Sequence, residues 1–210
     1  MNFFGSGFES WKLHSLQDYL YFFAYILIGV AIFAMIIRHM NRQRNHEQAV
    51  KKVVKRLGRL AKKPSKLYAD KKFRLPEGEL EFDAVLADQS GLYLVRVFGW
   101  GTKIYGAPDG EIWRREDPKR KEEFENPLIA LKKGAAGFEE TFSSRGVGRV
   151  KVMPMVVFAD NYQTPELYLG YGSFSTTFQE LKTWYRKQSS VKEAQYDFNR
   201  VSSILEEIQV

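Results

Sequence analysis

One acid falls where acids are costly. Asp83 sits inside residues 80–86, LEFDAVL, where Leu80, Phe82, Ala84 and Leu86 alternate with Glu81, Asp83 and Val85 in the rhythm of a half-buried strand. A carboxylate kept inside a strand needs a partner. Other groups able to do chemistry are few. The chain has no cysteine, which removes disulfides, thiolate metal sites and cysteine nucleophiles. Its three histidines, His14, His39 and His46, stand at or before the start of the soluble part. Chemistry in the body is therefore expected to run without imidazole, with no histidine zinc site and no serine–histidine triad. Gly99-Trp100-Gly101 is not a phosphate loop, because it lacks the glycine spacing and the following helix.

The charge is uneven. The 210 residues carry +7, but residues 38–74 hold 14 Lys and Arg against Glu47 and Asp70, a balance of +12. From Leu75 onward 17 cations face 21 acids, a balance of −4. A nucleic-acid groove would spread positive charge over the domain face. Here the basic block adjoins an apolar stretch. Residues 19–37 contain no charge, and their length is close to the ~20 residues that cross a bilayer. Tyr19, Tyr21 and Tyr25 crowd one end as an interfacial belt does.

The expected organisation follows. Residues 1–18 form a short extracytoplasmic N-terminus, 19–37 an uncleaved single-pass helix and 38–45 a basic juxtamembrane linker. By the positive-inside rule the rest is cytoplasmic, at an inner or plasma membrane of bacterial type. Residues 43–63 read as an amphipathic helix with Val50, Val53, Val54, Leu57, Leu60 and Ala61 on one face. Lys51, Lys52, Lys55, Arg56, Arg59, Lys62 and Lys63 fill the other, facing anionic lipid at about 1 kcal/mol per cation or, in the competing reading, nucleic acid.

Strands are expected over 67–75, 79–86 and 92–98, with a short one at 111–114, and the charge run 115–125 reads as a solvated loop. Asn126-Pro127-Leu128 opens a helix with Leu128, Leu131, Ala135, Phe138 and Phe142 as its buried stripe. A buried strand at 155–159 has Pro154 at its entry. Residues 160–175 read as irregular. Capping boxes at 177–180 and 190–193 open two last helices. Trp100, Trp113 and Trp184 read as core or cover. Tyr162, Tyr168, Tyr171 and Phe174 read as a partner surface or a loop packed on its own rings.

From His46 to about Tyr185 the chain resembles the nuclease-related domain (NERD) family, within the restriction-endonuclease-like PD-(D/E)xK superfamily. The matching residues are Glu47, Glu81-Phe82-Asp83, Ser90-Gly91-Leu92-Tyr93, Trp100, Gly106, Trp113 and Asn126-Pro127-Leu128. The resemblance implies an α/β fold, with a mixed central sheet flanked by helices over 46–189, preceded by one transmembrane helix and followed by a C-terminal helix over 190–210. It implies an acid on the second strand and Glu-x-Lys on the third, where two carboxylates hold Mg²⁺ and a lysine helps activate water against phosphorus. Asp83 matches the first acid. Arg96 and Phe98 occupy the Glu and Lys positions, and Ala130 takes the place of a glutamine in the following helix.

The resemblance thus carries the fold and not the activity. Asp83 is vestigial and pairs with Arg96, no metal or cofactor is expected, and the domain binds as a scaffold component of a membrane assembly that handles DNA. The competing expectation is an active Mg²⁺-dependent nuclease, its site rebuilt from Asp83 with Glu47, Glu79, Glu81 or Lys103. Nucleic acid and an unnamed protein are both candidate partners.

Overall fold

A computed structural model describes residues 16–43, 45–159, 164–190 and 196–210. The N-terminal segment expected outside the membrane falls largely outside the described residues, as do Arg44, Tyr162 and most of the capping box at 190–193. The chain forms two compact units, residues 1–42 and 43–210. Helix α1, Leu16–Gln43, dominates the first. Over Tyr19–Arg38, 20 residues average a hydropathy of 2.6 and none is buried, so this helix is long and apolar enough to cross a membrane. Its backbone stays helical through Gln43, where a linker was expected.

The second unit opens with α2, His46–Leu60, capped by the Asn45 side chain accepting from the Glu47 N–H. Three antiparallel strands follow: β1 (Ser65–Leu75), β2 (Gly78–Asp88) and β3 (Gly91–Phe98). Strands β4 (Lys103–Gly106), β5 (Ile112–Asp117) and β6 (Arg120–Glu125) precede α3 (Pro127–Ser144). Then come β7 (Val152–Phe158), β8 (Glu166–Leu169), β9 (Ser175–Thr177), α4 (Leu181–Ser189) and α5 (Phe198–Ile208). The main sheet has the order β1-β2-β3-β7-β9, with β7 parallel to β3 and β9 parallel to β7. A second sheet, β6-β5-β4-β8, is also mixed. The expected mixed α/β fold is present, with two sheets in place of one.

Both faces of the main sheet are covered. On one, Phe82, Val85, Leu92 and Leu94 lie under Leu131 and Phe138 of α3, Leu205 of α5, and Ile104 and Trp113 of the second sheet. On the other, Ala84, Leu86, Val95 and Val157 lie under Val53 and Leu57 of α2 and Tyr185 of α4. α3 can lie this close because it carries glycine there: a Cβ on Gly134 would stand 2.6 Å from the Phe82 ring. α5 belongs to this core, and Gln209 bridges to Phe73 at the edge of β1.

Several local expectations are corrected. The run 115–125 is a hairpin, not a loop. Its charges face each other across the rungs Arg115↔Glu122 and Glu116↔Lys121, so opposite sign compensates for the lack of apolar residues. Pro154 lies inside β7, opposite Leu94, and not at its entry. Residues 160–175 contain β8 and the start of β9. Thr177 ends β9; its hydroxyl accepts from the Glu180 N–H at 3.3 Å, but α4 begins only at Leu181.

The most consequential departure lies in β2. Phe82 enters one core whereas Ala84 and Leu86 enter the other, so the simple alternation breaks at Asp83. On β1, Tyr68 and Phe73 share a core although they are five apart. The ladder between the strands steps from Ala69↔Ala84 to Lys71↔Phe82 and skips Asp70 and Asp83. Asp70 has φ 55, a left-handed conformation that aspartate tolerates better than most residues. Both strands turn over at this rung, and Asp83 is left at the changeover.

Candidate functional site

Asp83 loses its ladder neighbours on both sides, since the β2–β3 pairing begins only at Ala84↔Val95. Its side chain replaces what the ladder no longer supplies. One carboxylate oxygen accepts from the Val97 N–H at 2.6 Å. The other lies 3.4 Å from the Arg96 guanidinium and 3.6 Å from Nε2 of His46, at the start of α2. The ion pair expected between Asp83 and Arg96 is therefore formed. The expectation that imidazole stays away from the body's chemistry is corrected: the first turn of α2 delivers His46 to the one buried strand acid that sequence singled out.

Asp83 and Arg96 border a cleft of about 370 Å³ together with His46, Phe98, Trp100 and Arg115. Arg96 and Phe98 also line a larger groove of about 720 Å³, whose wall includes Ala130 and Lys133 of α3, Phe124 and Ile112. Arg96, Phe98 and Ala130, the three positions at which a departure from the family pattern was expected, thus line one surface. Register explains two of them. Residues 96 and 98 follow Leu92 and Leu94 on the face of β3 that α3 covers, as residues two apart on a strand must.

Arg115 reaches the cleft because the 115–125 run is a strand pair. Its guanidinium lies 4.0 Å from the centre of the Trp100 ring, bonds Glu122 at 3.1 Å, and leaves its buried Nε without a partner. Arg120 also packs on Trp100, at 4.5 Å. Sequence reasoning missed this role. The like-ordered charge blocks on either side of Pro118-Lys119, Arg114-Arg115-Glu116-Asp117 before it and Arg120-Lys121-Glu122-Glu123 after it, were the available signal for a hairpin.

The other candidate acids are engaged elsewhere. Glu47 is exposed and pairs with Lys51 one turn on, which lowers its pKa. Glu79 pairs with Arg74 at 3.3 Å and Glu81 with Lys72 at 3.5 Å. Lys103 starts β4 in the second sheet. Among the described residues, Lys103 forms no ion pair with Asp83, and no three His, Asp or Glu side chains are grouped to hold a metal ion. A hard divalent cation wants several oxygen donors. The group around Asp83 supplies one carboxylate with arginine and imidazole, so the residues present do not fit Mg²⁺.

On α2, Lys51, Lys52, Lys55, Arg59 and the following Lys62 and Lys63 are exposed, while Arg56 is half-buried over the Phe178 ring at 4.8 Å. Trp113 is fully buried, and Trp184 is half-buried against the α2 side of the core. Tyr168 stacks on Tyr105 at 4.8 Å, Phe174 packs on the core, and Tyr171 is fully exposed.

A second acid on β2 was not foreseen. Asp88 is completely buried beside the β2–β3 turn. It accepts from the Tyr185 hydroxyl, the Ser90 N–H at 2.8 Å, the Ser90 hydroxyl at 2.6 Å and the Lys62 N–H at 3.2 Å. The Tyr196 hydroxyl donates to its backbone carbonyl. Burial, then the bond to Asp88, push the Tyr185 pKa up; burial, then the charge of Asp88, do the same for Tyr196. Asp88-Gln89-Ser90-Gly91 has the form of a turn closed by an aspartate side chain, which was the signal available.

No curated protein and no solved structure matches the chain. The nuclease-related domain (NERD) family matches residues 42–159, more than half of its length and ending one residue past β7. With that span taking in the strand acid, the third strand beside it and the first part of the chain through β7, the chain belongs to the nuclease-related domain family.

Proposed function

We propose that this NERD domain does not cleave phosphodiesters and works instead as a membrane-anchored binding domain, a scaffold component of an assembly that handles DNA. One observation carries the reading: a guanidinium stands 3.4 Å from the strand acid, at a position the family pattern gives to a second metal-binding carboxylate. A cation there opposes Mg²⁺ electrostatically. Phe98 removes the amine that would help activate water. The apolar α1 supplies the anchor, its positive flank puts the domain on the cytoplasmic side, and the exposed cations of α2 meet anionic lipid.

The test is a cleavage assay with the full chain purified in detergent, using single- and double-stranded DNA and RNA with Mg²⁺ or Mn²⁺. The expected result is no cleavage above that of the Asp83→Ala variant. Metal-dependent cleavage that Asp83→Ala abolishes would overturn the proposal and establish a nuclease with relocated ligands.

A further inference from the structure

The cleft and the groove meet at Arg96, and their linings differ in kind. The smaller cleft sets two guanidinium groups, Arg96 and Arg115, and the His46 imidazole around one acid, Asp83, with Arg115 also paired to Glu122 at 3.1 Å. Arg96 commits little of its capacity. One of its five N–H groups reaches Asp83, at the long distance of 3.4 Å, and a third of its side chain is open to solvent. The larger groove is apolar along Phe98, Phe124 and Ile112, and carries two acids, Glu111 and Glu125, against one cation besides the shared Arg96, Lys133, which is paired to Glu77 at 3.2 Å. Its volume of about 720 Å³ is that of a small-molecule site.

Resting on the reading of a non-cleaving domain, we propose that this composite site holds a small ligand with one phosphate group on a flat apolar body, of the nucleoside monophosphate class. The phosphate sits against Arg96, with Arg115 and His46 beside it. The flat body lies on Phe98 and Phe124 in the groove. A guanidinium fork suits a phosphate better than a point charge does. Glu111 and Glu125 set the specificity, because they repel further charge in the groove. A triphosphate or a polynucleotide backbone brings that charge, and a monophosphate does not.

The experiment is calorimetric titration of the full chain in detergent, in EDTA, with AMP, adenosine, ATP, inorganic phosphate and a 5′-phosphorylated oligonucleotide. AMP is expected to bind at least about tenfold tighter than adenosine, the effect of one charge-assisted contact, and tighter than ATP. Arg96→Gln lowers AMP affinity by about tenfold or more. Asp83→Asn raises it, since the carboxylate competing for Arg96 is gone. Should Arg96→Gln fail to fold, Arg115→Gln carries the same expectation in weaker form.

Absence of AMP binding, equal binding of adenosine, or affinity indifferent to both arginine variants overturns the proposal. Stronger binding of ATP or of the oligonucleotide also overturns it, in favour of a nucleic-acid surface. With metal chelated, failure here leaves the non-cleaving reading intact. Cleavage in the metal assay removes that reading whatever AMP does.

Discussion

Asp83 and Asp88 lie five residues apart on β2 and are both buried, yet their surroundings are opposites. Asp88 is closed in by neutral donors: two hydroxyls and two backbone N–H groups satisfy its carboxylate, and the rings of Tyr185 and Tyr196 keep water away. Asp83 has one backbone N–H, a loosely held arginine and an exposed histidine at the rim of a cleft. Burial alone therefore does not mark an acid as functional; its partners do. Neutral donors arranged all around a carboxylate lock elements together, here β2, the α2–β1 connection, α4 and the segment before α5. A carboxylate held by one cation at 3.4 Å beside open volume is the kind of group the proposed site is built on.

This contrast can be broken by measurement. Asp88→Ala strands buried donors and should cost about 3–5 kcal/mol in denaturant unfolding, whereas Asp83→Asn keeps an acceptor for the Val97 N–H and should cost about 1 kcal/mol. The reverse order would make Asp83 the structural acid. Tyr185→Phe removes a hydrogen bond to a charged group and should cost about 1.5–3 kcal/mol at neutral pH.

Tyr185 also gives a pH dependence of known sign. Its folded pKa is raised, while an unfolded tyrosine ionises near ~10. The folded state thus holds its proton more tightly, and the stability that this provides is complete below about pH 10 and is lost as pH rises beyond it. Urea midpoints measured from pH 8 to 11 should fall more steeply for the wild type than for Tyr185→Phe. Parallel curves would remove the phenol from the lock.

The smallest expected effect sharpens the Asp83 side. Arg96→Glu/Phe98→Lys places a carboxylate and an amine on the face of β3 that borders Asp83, as the proposed function expects an active site to have them. Millimolar Mg²⁺ should then raise the melting midpoint by a few degrees, about 1 kcal/mol of binding linkage, and leave the wild type where it was. No shift in the variant would mean that residues 83 and 96 do not share a metal-sized space.

Much was legible in advance because it is written in short-range pattern. The apolar stripe of α3 from Leu128 to Phe142, the stripe of α2 and the Asn126 cap are matters of spacing along one helix. What stayed hidden depended on partners distant in sequence. The run 115–125 looks like solvated charge until each residue is placed opposite its counter-charge, and only then does Arg115 arrive over Trp100. His46 looks like a residue of the approach to the domain until α2 is laid on the sheet with its first turn at Asp83. Asp88 looks like part of an ordinary turn until the chain brings back Tyr185 and Tyr196, about a hundred residues later.

Composition and order alone determined that there is no thiol chemistry, that one apolar segment of membrane length precedes the domain, and that the architecture mixes strands and helices. The tertiary structure decided that β1 and β2 turn over together at Asp70 and Asp83, which faces Arg96 and His46, and which buried acid is locked and which lies open. Side-chain periodicity is a property of a few consecutive residues. The face a strand residue occupies, and the groups that meet it there, depend on register with strands and helices far along the chain.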